Sequence, residues 1–157
     1  MKKHTFRILV VCLVIILAVV SFYMLYVHVP YYNYHHQLDE IRNEICEQNH
    51  YEYMDYFSEY RGKSKYYMLK VKIDGVESYV AYDAKQKLVD TYQGDIADEK
   101  SVKKAILDKY KVNVDLEIAY ENQRFVYYGR VQDKESLLYV YYDLSNGEFI
   151  KAVRLGE

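Results

Sequence analysis

Four side chains able to ligate a metal ion lie within one short stretch: His35, His36, Asp39 and Glu40, with His36 and Glu40 one helical turn apart. The same spacing describes the polar surface of a helix, and that is the expected role. Cys46 and His50 repeat the i, i+4 relation, in which a charged imidazole would lower the thiol pKa. A cysteine beside Ile45 more often flanks a core, so packing is expected here too. Elsewhere there is no G-x-S-x-G and no H-E-x-x-H, and the six glycines are too scattered to cradle a phosphate. Acidic pairs are plentiful, but no nucleophile, base and orienting group come together in one motif. The expectation is a protein that is not an enzyme, with no cofactor, no metal and no small-molecule substrate.

What the sequence offers instead is tyrosine: 21 residues of it, against five Phe and no Trp. Tyrosine suits strands, and it also supplies broad, amphipathic contact area at protein interfaces. Which of the two applies depends on the elements that carry the rings.

The chain is organised around Ile8 to Val29, 22 residues without a formal charge, 15 of them Ile, Leu, Val or Phe. Such a run matches a hydrocarbon core of about 30 Å and inserts as a helix. Lys2, Lys3 and Arg7 precede it and the next basic residue is Arg42, so the positive-inside bias places the N-terminus in the cytoplasm and the bulk of the chain outside. Tyr23, Tyr26, Tyr31, Tyr32 and Tyr34 read as an aromatic belt at the outer end. No A-x-A-like cleavage site follows, and the run exceeds the usual signal-peptide core of about 7 to 15 residues, so a retained anchor is expected. Cys12 lies within the run as a small apolar residue.

Beyond the anchor, Tyr31 to Glu157 carries all 23 acidic residues and 18 of the basic ones. A net acidic domain is a poor partner for nucleic acid. Cys46 is its only cysteine, so no intramolecular disulfide staples it.

From Tyr34 to Asn49, Leu38, Ile41 and Ile45 recur at helical spacing. The period then becomes two, giving strands at Tyr51–Tyr60, Lys65–Ile73, Val76–Asp83 and Leu88–Gln93, with Asp74-Gly75 as a hairpin turn. Asp98–Tyr110 returns to helical spacing, and strands follow at Val112–Glu121, Arg124–Gln132, Leu137–Asp143 and Glu148–Val153. The halves match at an offset of 60: Tyr79-Val80-Ala81-Tyr82-Asp83 falls on Tyr139-Val140-Tyr141-Tyr142-Asp143, and Tyr60 on Tyr120. The expected class is therefore α+β: an anchor over residues 1–30, then two tandem small domains, 31–94 and 95–157, each one helix packed on an antiparallel sheet of about four strands. Alternation turns Tyr67, Leu69, Val71 and Ile73 toward the helix, with Val80 and Tyr82; in the second half Phe125, Tyr127, Gly129, Val131, Val140 and Tyr142 do the same. Tyr66, Met68, Tyr79, Tyr128, Tyr139 and Tyr141 are left on the outer faces. Of these, Tyr66, Tyr79, Tyr128, Tyr139 and Tyr141 are the candidate partner-binding residues, unless the two sheets cover each other.

The anchor, the tandem helix-plus-sheet order, Arg61-Gly62-Lys63-Ser64-Lys65-Tyr66-Tyr67 in the first half, and Tyr141-Tyr142-Asp143 through Gly147-Glu148-Phe149-Ile150-Lys151 in the second resemble the TseB/YpmB family. These are single-pass proteins of Gram-positive bacteria with cystatin-like, PepSY-related domains. The resemblance implies a cell-membrane regulator of cell-wall elongation that binds a penicillin-binding transpeptidase. It transfers no site residue, since the family has no catalytic motif. Ala97 stands where the family is expected to carry a Ser helix cap. The alternative that PepSY and cystatin folds suggest is an inhibitory module acting on an extracytoplasmic protease.

Overall fold

A long aliphatic run can satisfy its backbone within a bilayer only as a helix, and the computed structural model has helix from Lys2 to Asn49: α1 (Lys2–Tyr23), a π-turn (Met24–His28) and α2 (Val29–Asn49). The π-turn has a cause in sequence. Pro30 has no N–H to donate and its ring crowds the carbonyl one turn back, so the backbone widens just before it, and Val29 N–H reaches back to the Met24 carbonyl. Phe6–Asn49 is long and apolar enough to cross a membrane, with a mean hydropathy of 3.1 in its most apolar window and none of that window buried in protein. It fits a single-pass anchor. At 1.5 Å per residue it runs to about 66 Å, roughly twice a hydrocarbon core, so only its apolar first part would lie in lipid.

The chain divides into two compact units, Met1–Glu44 and Ile45–Glu157. The second holds two antiparallel four-stranded sheets of order β1-β2-β3-β4 and β5-β6-β7-β8. The first comprises β1 (Glu52–Arg61), β2 (Lys65–Ile73), β3 (Val76–Asp83) and β4 (Leu88–Tyr92). The second comprises β5 (Leu116–Glu121), β6 (Arg124–Gln132), β7 (Leu137–Asp143) and β8 (Phe149–Leu155), with α3 (Glu99–Tyr110) between the sheets in sequence. The structure describes residues 2–132 and 136–156; Met1 and Glu157, the ends of the first and last expected segments, lie outside the described residues, as does 133–135.

β2, β3, β6 and β7 lie where the alternation puts them. Asp98 caps α3, accepting from Ser101 N–H at 3.0 Å and from its hydroxyl at 2.8 Å, so the alanine at position 97 costs the helix no cap. β5 starts four residues later than alternation suggests. Lys111 ends α3 in the left-handed region (φ 59°), and Val114 turns inward over β6 before the ladder begins. The space that Val114 fills is the one Gly129 leaves: a Cβ at 129 would stand 2.8 Å from Val114 Cγ2 and 3.0 Å from Leu116 Cδ2.

The duplication is visible in the ladders. Tyr67 pairs with Tyr82 and Tyr127 with Tyr142; Met68 pairs with Ala81 and Tyr128 with Tyr141, at the same offset of 60. The first hairpins differ, however. Tyr60 pairs with Tyr66, whereas Tyr120 pairs with Phe125, because the turn at Asn122-Gln123 is one residue shorter than that at Gly62–Ser64. Tyr60 and Tyr120 match in sequence but point to opposite faces.

The helix-facing sets are buried as expected except for Ile73, which is half-buried at the end of β2. Tyr67, Leu69, Val71, Val80 and Tyr82 are all buried, and so is Ile45 in the last turns of α2. The outer face of the first sheet is buried too: Met68, expected on that face, and its ladder partner Ala81 are both 0% exposed. They join Tyr60 in one hydrophobic cluster with Ile118, Ala119 and Tyr120 of β5 and with Val102 and Ile106 of α3. The division expected at 94/95 thus separates two sheets joined by one hydrophobic cluster, while Tyr67, Leu69, Val71, Val80 and Tyr82 are buried outside it on the other face of the first sheet.

Candidate functional site

The seam between the sheets is built largely by tyrosine. At its centre the exposed edge of β5 meets the outer face of β1. Ile118 N–H donates to the Tyr56 hydroxyl at 2.6 Å, and the Tyr56 and Ser58 hydroxyls each lie 3.3 Å from the Ile118 carbonyl oxygen. Side chains thus do for this edge what a neighbouring strand would do. Burial pushes the Tyr56 pKa up to about 12, with the Ser58 and Ile118 bonds acting against it. At one flank the Tyr66 and Tyr120 rings meet edge to face at 5.2 Å, and the Tyr120 hydroxyl donates to Asp90 at 3.0 Å.

At the other flank the seam opens into a cleft of about 300 Å³, lined by Tyr60, Tyr128, Tyr139, Tyr141, Glu121 and Lys151, with Lys63 and Val153 at its sides. Tyr128 stands in the middle: its ring is stacked on Tyr139 at 5.7 Å, tilted against Tyr141 at 5.4 Å and edge-on to Tyr60 at 5.2 Å. Beneath them sits Glu121, 7% exposed at the end of β5. Tyr60 donates to one of its oxygens at 2.9 Å and Lys151 to the other at 2.7 Å, while the Lys151 ammonium lies 4.4 Å from the centre of the Tyr141 ring. Burial pushes the Glu121 carboxyl up, but the bonds from Lys151 and Tyr60 outweigh it and hold the carboxyl below its usual value. Burial pushes Tyr60 the other way, well above the ordinary phenol, and its bonds to Tyr141 and Glu121 add to the shift. The ionised carboxylate and the neutral phenol therefore fix each other, and the cleft presents aromatic faces around a neutralised ion pair.

The fold is similar to that of the YpmB protein from Bacillus subtilis. The TM-score is 0.58 at 22% identity, over 74% of this chain and 96% of that one. No family model and no curated protein matches the sequence. What the YpmB likeness covers is the architecture, and nearly the whole length of the solved chain is included.

Of the five candidate tyrosines, three come together in the cleft: Tyr128, Tyr139 and Tyr141. Tyr66 lies at the opposite flank of the seam, and Tyr79 packs edge to face on Tyr56 at 6.1 Å, with burial raising its pKa. Their expected openness is corrected. Tyr141 is only 7% exposed and the other four are half-buried, because the edge of β5 seats on the outer face of the first sheet and brings Tyr60 against Tyr128 and Tyr120 against Tyr66. Sequence reasoning missed Tyr60, Glu121 and Lys151. Glu121 and Lys151 are 30 residues apart on strands that neither pair nor adjoin, and nothing in the sequence pattern links them. The polar helix residues stay apart from this site. His36 Nδ1 lies 3.2 Å from Glu40 Oε1, and among the described residues no three His, Cys, Asp or Glu side chains converge on a metal position. His50 terminates α2 with φ 55°, and Cys46 is half-buried beside Tyr82.

Proposed function

We propose that this chain is a membrane-anchored, extracytoplasmic, non-enzymatic regulator of the TseB/YpmB type, which binds a penicillin-binding transpeptidase and adjusts cell-wall elongation. The observation that carries the reading is the tandem-sheet fold held in common with YpmB, behind a helix able to span a membrane. The sequence motifs quoted above support it independently. The cleft is consistent with a binding role: its buried carboxylate is paired with Lys151, and its aromatic rings offer contact area at low entropic cost.

A pull-down with the anchor intact, scored for transpeptidases against proteases, tests the reading. Transpeptidase capture is expected, and enrichment of a protease alone would replace it with the inhibitory alternative. Orientation follows from Lys2, Lys3 and Arg7. An impermeant maleimide should reach Cys46 in intact cells after mild denaturation, and labelling only after the membrane is breached would reverse the topology.

A further inference from the structure

Two sheets present four edges, and their treatment differs. The β5 edge is seated on the outer face of β1 and β2, closed by the Tyr56 and Ser58 hydroxyls on Ile118, and the β1 edge is interrupted by a bulge between Tyr53 and Tyr56. β4 is five residues long and carries Asp90, whose carboxylate is engaged by Tyr120. β8 is seven residues long, lies last in its sheet and contains no proline. Phe149, Val153 and Leu155 on it are 44%, 39% and 52% exposed.

The charge on this edge is all of one sign. Phe149–Leu155 contains Lys151 and Arg154 and no acidic residue, and Lys109 of α3 stands 3.6 Å from the centre of the Phe149 ring. Across the cleft Lys63 makes no ion pair among the described residues. Val153 pairs with Tyr139 and Lys151 with Tyr141, so these two residues share the cleft face, while Arg154 pairs with Leu138 on the opposite face. A strand laid beside β8 would therefore meet apolar surface at Val153 and Leu155, a cation at Arg154 on one face, and on the other, three residues away, Lys151, whose ammonium already pairs with Glu121. The same basic residues act against a second copy of β8, since self-pairing would bring four cations together along two adjacent strands.

We infer that the outer edge of β8 is a docking site for an extended, acidic and apolar segment of a partner protein, which adds as a fifth strand with its apolar side chains continuing the wall of the tyrosine cleft. Main-chain hydrogen bonds would supply affinity, while the cations and the cleft would select the segment. The binding reading above is assumed only in that a partner exists.

The test uses the full chain in detergent micelles and two short synthetic peptides, one alternating Glu and Val and the other Lys and Val. Amide hydrogen exchange is followed strand by strand. The Glu–Val peptide is expected to slow alternate amides of β8 by about tenfold while leaving β4 unchanged, and the Lys–Val peptide to do neither. Arg154→Glu should weaken the Glu–Val peptide about tenfold at an unchanged melting temperature and strengthen the Lys–Val one. The proposal is overturned if the Glu–Val peptide leaves β8 exchange unaltered, protects β4 equally, or is indifferent to Arg154→Glu. Concentration-dependent protection of β8 with no peptide present would overturn it in favour of a second copy. A transpeptidase captured without any slowing at β8 would remove this surface and leave the functional proposal standing.

Discussion

Glu121 holds the cleft together at the scale of single residues, because one carboxylate receives both Tyr60 and Lys151. Glu121→Gln keeps the shape but removes the charge, leaving the ammonium without its counter-ion. A loss of about 1 to 3 kcal/mol is expected in denaturant unfolding, toward the lower end because Lys151 keeps partial access to water. The pH dependence has a definite sign on each side. Glu121 is held below its unfolded value, so its contribution is present above the unfolded pKa and is lost as pH falls through the folded one. Tyr60 and Tyr128 are both pushed up, chiefly by burial, and remain neutral in the folded chain where unfolded tyrosines ionise. Stability should therefore decline as pH rises past about 10, which thermal melts across a pH series would detect. Gly129 is the remaining sensitive position. Gly129→Ala would drive a methyl into Val114 and Leu116, and a destabilisation of about 1 to 3 kcal/mol is expected, read from the denaturation midpoint.

Among the elements, β5 depends most on its neighbours, since one of its edges is completed by side chains. Tyr56→Phe removes the acceptor of the Ile118 N–H and strands that group in the seam. The expected cost is about 1 to 3 kcal/mol, with faster exchange at the Ile118 amide than at Tyr127 across the ladder. The seam also explains what was legible in the sequence and what was not. Period-two alternation located β2, β3, β6 and β7 and assigned Tyr67, Leu69 and Val71 to the helix side, since each position there answers to one local contrast between core and water. Met68 defeated that contrast because it is covered by a strand some fifty residues away. The shorter turn at Asn122-Gln123 likewise reverses Tyr120 relative to Tyr60, and an offset of 60 cannot register a one-residue change in hairpin length. The cleft residues were hidden for the same reason: Tyr60, Glu121 and Lys151 meet only once the order of the sheets is known.

For the molecule as a whole, a hydrophobic cluster joining the two sheets implies that the two halves do not unfold separately. Tyr60, Met68 and Ala81 are buried by residues of the second half, so either sheet alone would expose an aromatic face. Unfolding of the second unit should be a single transition, with near-ultraviolet dichroism and β-sheet signal melting together; two resolved steps would contradict this. The same packing bears on how the protein is made. The face carrying Tyr56, Tyr66, Met68 and Tyr79 is complete once β4 has been synthesised, but its cover is β5, which ends at Glu121. At about 5 to 20 residues per second the ribosome takes roughly one and a half to six seconds to bridge that gap. During that interval the newly made first half is a sticky aromatic sheet in search of its second half, and its exposure to chaperones is a matter of translation speed.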